Sequence, residues 1–283
     1  MDRHTAVLIT CALLYLTGSS VELLCTVAIC RKTDWQQKPE LILILSLCLA
    51  DLLGSYTFLL SLLASLLPVQ LHWAFLHLIG FAGNAGWGAG SVLLNVLAMN
   101  RLVAVLTPLR YDLIFTSQFT IYVSIISWLV GSVLCAGNLF LCCPVVFSWQ
   151  KLSFVYVFPE AAVFPEWIQL NFLLNLVTIA VPAVCYFVLS LRLVYMRIDS
   201  QSLSGINVSL CVQFFLITFV YIVNAFAWNV VSVLGSSYWF MSSVSSALYF
   251  TINGYVYVLF NKVIKKAIKD CFRGETLVQP IGH

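Results

Sequence analysis

Charge is what this chain has least of. Its 283 residues carry 14 Lys and Arg against 11 Asp and Glu, 9% in all, while 61% are hydrophobic. Water-soluble domains have about a quarter of their residues charged, so the composition excludes that class and indicates an integral membrane protein. The net charge of +3 is small, and its distribution carries more information than its sum. No nucleic-acid partner is expected. Metal-ligand spacing is also missing: His72 and His77 stand at the edge of one apolar run, and no His, Asp and Glu set accompanies them. No metal, cofactor or catalytic set is therefore expected, which argues against an intramembrane enzyme. Internal repeats, low-complexity segments and room for a second domain are all lacking, so residues 1–283 read as one domain. A transporter of two related halves would show paired intramembrane charges and broken helices. Only Glu22 and Asp51 point that way.

What the chain does have is apolar runs. A helix crosses a bilayer in about 20 residues. Seven runs reach that length, at about 6–30, 40–67, 75–106, 119–141, 166–197, 204–234 and 237–260. Backbone polar groups in hydrocarbon must pair within their own segment, so the runs are helices and the fold class is all-α, a seven-helix bundle. Run 1 is too long for a signal-peptide core and lacks a small-residue cleavage site, so it is expected to be retained. Basic residues alternate by side. Arg31, Lys32, Lys38, Arg101, Arg110, Arg192, Arg197, Lys262, Lys265, Lys266, Lys269 and Arg273 fall on one side, and only Arg3 and Lys151 on the other. The positive-inside rule then puts the N-terminus outside and the C-terminus in the cytoplasm.

After run 7, Val263, Ile264, Ala267 and Ile268 recur at helical spacing among Lys262, Lys265, Lys266 and Lys269. This predicts an interfacial amphipathic helix over about 262–272, lying against acidic lipid. Cys271 within it is a candidate for palmitoylation or a free thiol. Cys11, Cys25, Cys30, Cys48, Cys135, Cys185 and Cys211 fall in or at the ends of spans and behave as small apolar residues. Cys142 and Cys143 stand near the outer face, where they could be oxidised. Trp167 and Trp239 read as interfacial anchors. Asn207-Val208-Ser209 matches a glycosylation triplet by chance, since it sits at the cytoplasmic start of run 6.

Two acids interrupt the apolar helices. Asp51 lies mid-run, where a charge costs at least ~2.5–3.5 kcal/mol. Such a residue faces the bundle. Glu22 lies at a similar depth, and two acids so placed disfavour double ionisation, so at least one is expected to be neutral.

The order and spacing of several motifs resemble a rhodopsin-like G-protein-coupled receptor over most of the chain. Ser46-Leu47-Cys48-Leu49-Ala50-Asp51-Leu52 is similar to that family's second-helix motif. Asn100-Arg101-Leu102 resembles the Asp-Arg-Tyr end of helix 3, keeping the arginine. Pro108 and Trp128 follow at the family's spacings, and Pro182 resembles the helix-5 proline. Asn253-Gly254-Tyr255-Val256-Tyr257 resembles the helix-7 Asn-Pro-x-x-Tyr motif with glycine for proline. Glu22 stands near the family's helix-1 asparagine. The resemblance implies a heterotrimeric G protein as partner and Asn100, Arg101, Pro108, Asn253 and Tyr257 as the coupling switch. It implies Glu22, Asp51 and Asn253 as the intramembrane polar core.

Departures narrow the expectation. Leu76 replaces the helix-3 disulfide cysteine, and run 6 has no proline hinge. Gly90 and Tyr249 replace polar residues that help bind sodium beside the acid in many relatives, which argues against such a site. Asn100 in place of aspartate removes the acid that would restrain Arg101, implying either raised basal activity or weak coupling. Ala247 occupies the position of an opsin's retinal lysine, and Gly83 that of the amine receptors' aspartate. A retinal chromophore and a cationic amine are therefore not expected.

Gly80, Gly83, Gly86, Gly88 and Gly90 in helix 3 permit either close helix approach or space for a ligand. Gly83, Asn84, Trp87, Asn171, Asn175, Trp228 and Tyr249 are the candidate pocket, which suits a small neutral or apolar molecule. The short N-terminus and compact loops argue against a large peptide. Among rhodopsin-like receptors, Asn-Arg-Leu, the missing cysteine and the short tail resemble nematode serpentine chemoreceptors of the class x group. The alternative is a receptor-like partner protein that no longer couples.

Overall fold

The structure is a computed structural model and describes residues 2–32, 34–66, 72–142, 144–157, 165–198, 208–234 and 238–273. Seven long helices form the bundle: α1 (Arg3–Cys30), α2 (Pro39–Leu66), α3 (Trp73–Leu106), α5 (Ser117–Gly137), α6 (Pro165–Ile198), α7 (Val208–Leu234) and α8 (Trp239–Phe260). The short α4 (Tyr111–Ile114) lies in the loop between α3 and α5, and α9 (Lys262–Arg273) follows α8. Each predicted span has its helix, and α9 covers the predicted amphipathic segment.

The ends of the helices are set by local chemistry. Thr5 N–H donates to the Asp2 side chain at 2.7 Å and Phe119 N–H to the Thr116 hydroxyl at 3.1 Å, satisfying first-turn donors of α1 and α5. Pro182 sits inside α6, where the ring removes one helical hydrogen bond.

Helix α2 is the hub. In its apolar window 83% of residues are buried, against 33% in α1, 28% in α5 and 22% in α6. It packs against α1, α3, α5 and α8, while α8 also packs on α1 and α7, and α6 bridges α7 to α3. The first and last long helices therefore meet. Among the described residues, five helices qualify by length and hydropathy to cross a membrane. Helix α7 adds the apolar stretch Phe215–Trp228 among its described residues. Helix α8 falls short because Ser242, Ser243, Ser245, Thr251 and Asn253 lower its hydropathy, and all five are buried inside the bundle. Outward residues such as Leu13, Leu63, Leu129 and Phe187 are more than half exposed, a surface suited to hydrocarbon.

The glycines of α3 are sites of close approach. A Cβ on Gly86 would lie 2.8 Å from the Ala50 carbonyl oxygen of α2, and one on Gly88 would lie 2.9 Å from Gly131 Cα of α5. At these two positions glycine serves close helix packing.

One element was not foreseen. The segment between α5 and α6 contains a hairpin, β1 (Val145–Ser148) with β2 (Ser153–Tyr156), pairing Val145 with Tyr156 and Ser148 with Ser153. It packs across one end of the bundle, against α3 and α8. Leu152 at its turn has φ 45° and is fully buried. It joins Val7, Cys11, Tyr15, Phe58, Leu62 and Ala247 in an apolar cluster, with Phe147 and Phe154 packed against it. The Ser243 hydroxyl donates to the Lys151 carbonyl at 2.6 Å, and His4 Nε2 lies 3.1 Å from the Trp149 carbonyl.

Candidate functional site

Three polar layers run through the bundle. The middle one holds the predicted acids. Asp51 is 1% exposed, and Asn253 of α8 donates to its carboxylate at 2.5 Å. Glu22 of α1 is fully buried beside Gly254. A Cβ on Gly254 would lie 2.6 Å from Glu22 Cγ. Glycine at 254 thus leaves the room that the Glu22 side chain and backbone occupy. Tyr257 is fully buried in the same core as Leu97 and Ala98, one turn from Arg101. Trp128 of α5 donates from Nε1 to the Ser46 hydroxyl of α2 at 3.1 Å, tying together two of the landmark motifs.

The second layer, nearer the hairpin, is a hydroxyl seam. Tyr221 of α7 donates to Ser91 Oγ of α3 at 3.0 Å, and its oxygen lies 2.9 Å from Thr178 Oγ1 of α6. The Tyr249 ring of α8 stands 5.3 Å from the Tyr221 ring. Ser245 and Ser246 both donate to Asn224 Oδ1, at 3.0 and 3.2 Å, and Trp228 Nε1 donates to Ser246 at 3.1 Å. Trp87 lies one turn above Ser91, whose hydroxyl donates to its carbonyl at 2.9 Å.

Of the predicted pocket residues, the structure places Trp228 and Tyr249 in this seam, and Trp87 packs against the core that holds Tyr221 and Tyr249. Asn175 lies a turn away on α6, its carbonyl 2.9 Å from the Thr178 hydroxyl. Two others point elsewhere. Gly83 faces Thr57 of α2 and Phe154 of the hairpin, and Asn84 turns to Cys135 of α5. Side chains of Asn171, Trp167 and Cys142 lie outside the described residues, as do Cys143 and Asn207. Ser91, Thr178, Tyr221 and Asn224 escaped the sequence reading. In a single sequence a hydroxyl on an apolar helix looks the same whether it bonds its own helix or its neighbour.

The third layer is the basic end. Asn100 is fully buried and donates to the Tyr111 hydroxyl at 3.0 Å. Burial pushes the Tyr111 phenol above its ordinary range, so it stays neutral. The Arg101 guanidinium forms an ion pair with Glu40, in the first turn of α2. The acid absent at position 100 is therefore replaced from another helix. The signal available in the sequence was Glu40 itself, the acid that opens α2.

Beyond the pair, Leu109 is 96% exposed and Leu113 80% exposed on the loop that starts at Pro108. Asn261 Oδ1 accepts from the backbone N–H groups of Val263 and Ile264, at 3.0 and 3.2 Å, and so starts α9. On that helix Ile264 and Ala267 are buried, Cys271 is half-buried, and Val263 and Phe272 face outward.

Comparison with curated proteins finds no match. The family model described as serpentine type 7TM GPCR chemoreceptor Srx matches residues 13–261. That span runs from within α1 to the end of α8 and includes each of the three polar layers. The chain belongs to the Srx family of serpentine seven-transmembrane chemoreceptors of the G-protein-coupled receptor type.

Proposed function

We propose that this chain is a plasma-membrane chemoreceptor that takes a small neutral or apolar molecule and signals to a heterotrimeric G protein. Its N-terminus and hairpin face outside, and the basic end with the C-terminus faces the cytoplasm. The observation that carries this reading is the hydroxyl seam. It joins α3, α6, α7 and α8 through Ser91, Thr178, Tyr221 and Tyr249. Helix α8 then continues as one rod through Asn253 and Tyr257 to the core packed beside the Arg101 end.

A ligand with one or two polar groups competes for the seam's hydroxyls while Trp87 and Trp228 cover its apolar part. A helix arrangement in which those bonds are exchanged is populated in proportion to the ligand's preference for it. The cytoplasmic ends of α3, α6 and α7 then part around Arg101, and the G protein enters. Exposed Leu109 and Leu113 offer that partner an apolar foothold beside Pro108. Helix α9 lies on acidic lipid with its lysines, and Cys271 is its lipidation candidate.

The test is GTPγS binding to heterotrimeric G proteins in membranes holding this chain, with and without a panel of volatile odorants. Arg101→Ala should abolish stimulated binding at equal surface level. Tyr221→Phe should shift the odorant dose–response while leaving the fold intact. A signal unchanged by Arg101→Ala refutes the proposal. Silence of a well-folded surface protein with every G protein transfers it to the receptor-like partner class.

A further inference from the structure

Arg101 sits where a partner would enter, beside an asparagine that cannot neutralise it. Asn100 is uncharged and donates to Tyr111 at 3.0 Å. Glu40 supplies the charge instead, through its Oε1 to Arg101 Nη2. The two side chains are 11% and 29% exposed, the arginine less than the acid. A pair in this partly shielded setting is less screened than one on an open surface. Glu40 is further favoured where it stands, because a carboxylate in a first helical turn complements the helix dipole.

The placement of Glu40 on α2 has a geometric consequence. Asp51 follows about three helical turns later, so both acids lie along one face of the hub helix. One rigid element therefore carries the acid that holds Asn253 of α8 and the acid that holds Arg101 of α3. Near the Asp51 level α3 comes close to α2, where a Cβ on Gly86 would lie 2.8 Å from the Ala50 carbonyl oxygen.

We infer that Glu40 is a positioning residue that holds Arg101 in the uncoupled arrangement, the task left vacant by Asn100. A cytoplasmic partner that claims Arg101 must displace Glu40 first. The inference rests on the proposed role of Arg101, and its test separates the two.

Full-length chain in bilayer nanodiscs is assayed for basal GTPγS exchange on a panel of purified heterotrimeric G proteins, and for thermal unfolding. Glu40→Gln should raise basal exchange about fivefold or more, within the usual range of coupling between sites. Glu40→Asp should stay near the parent chain. Adding Asn100→Asp to Glu40→Gln should bring basal exchange back down, because it returns an acid to the side of Arg101. A merely structural role for Glu40 would not produce that rescue. A thermal double-mutant cycle on Glu40→Gln and Arg101→Gln should show non-additive melting shifts. Additive shifts overturn the pair whatever the G proteins do, and absence of the Asn100→Asp rescue overturns its control of Arg101. Non-additive melting with no exchange from any variant overturns G-protein coupling, and with it the regulatory role of Glu40, while the ion pair itself stands.

Discussion

Leu152 anchors the hairpin, and its replacement should release it. The side chain is fully buried among residues of α1, α2 and α8 although its backbone has φ 45°. Two effects oppose each other there. Truncating a buried leucine to alanine costs about 2.7–5.0 kcal/mol. A left-handed backbone on a side-chain-bearing residue costs roughly 1–2 kcal/mol, which glycine would recover. Glycine also gives back about 0.4–1 kcal/mol to the freedom of the released chain. Burial is the larger quantity, so Leu152→Ala and Leu152→Gly should both loosen the hairpin, and to within about 1 kcal/mol of each other. A loss of about 3 kcal/mol corresponds to roughly a hundredfold faster local opening. Hydrogen–deuterium exchange of the backbone amides of β1 and β2, followed by mass spectrometry in nanodiscs, reads that change directly. Global melting should move far less, because the helices keep their own contacts. Slower exchange in Leu152→Gly than in the parent chain would show that strain outweighs burial and would refute the reasoning.

Other outcomes follow from single contacts. Gly131→Ala places a Cβ 2.7 Å from the Ala85 carbonyl oxygen, so α3 and α5 must separate and thermal stability should fall by about 1–3 kcal/mol. Asn261→Ala removes the cap of α9 and should cost about 0.5–2 kcal/mol, read as faster amide exchange confined to Lys262–Arg273. Asp34 receives Lys38 at 2.5 Å and Lys32 at 3.3 Å, and these contacts, Lys38 foremost, hold its carboxyl below the ordinary aspartate range. A lowered folded-state value gives stability that is present above the unfolded value and lost as pH falls through the folded one. Asp34→Asn should therefore melt lower than the parent chain at neutral pH, by less than about 1 kcal/mol because the groups are exposed, and the gap should close in acid.

The spans were legible because hydrocarbon demands a long apolar run and an internally bonded backbone, and neither demand depends on neighbours. Asp51 was legible as a buried residue because an acid inside an apolar helix has nowhere else to face, whereas Asn253 was named only through the motif resemblance. The hairpin was not legible: Pro144–Val157 mixes aromatic, apolar and polar residues without a clean alternation, and its stability comes from Leu152 entering a cluster formed by distant helices. Glu40 was hidden by its ordinariness, since an acid in a first helical turn needs no partner to be there. Gly83 and Asn84 were placed in the pocket by position along α3, but residues one apart on a helix point about 100° apart, and these two face α2 and α5. Glu22 and Gly254 each stood out alone. Their complementarity belongs to the packing of α1 on α8 and could be read only there.

The contact between Asp51 and Asn253 spans 202 residues of sequence, and this orders the biogenesis of the protein. During synthesis α1 and α2 leave the translocon long before α8 exists, so Asp51 waits in the bilayer without the amide that receives it. An acid so placed costs at least ~2.5–3.5 kcal/mol on insertion scales. The early bundle must meet that cost by protonation, by water or by a chaperone until the last long helix arrives. This polar core is therefore completed only when α8 docks against α1, α2 and α7. A chain truncated before residue 239 presents an unsatisfied carboxyl in its membrane domain, a mark by which quality control can distinguish it from the finished receptor.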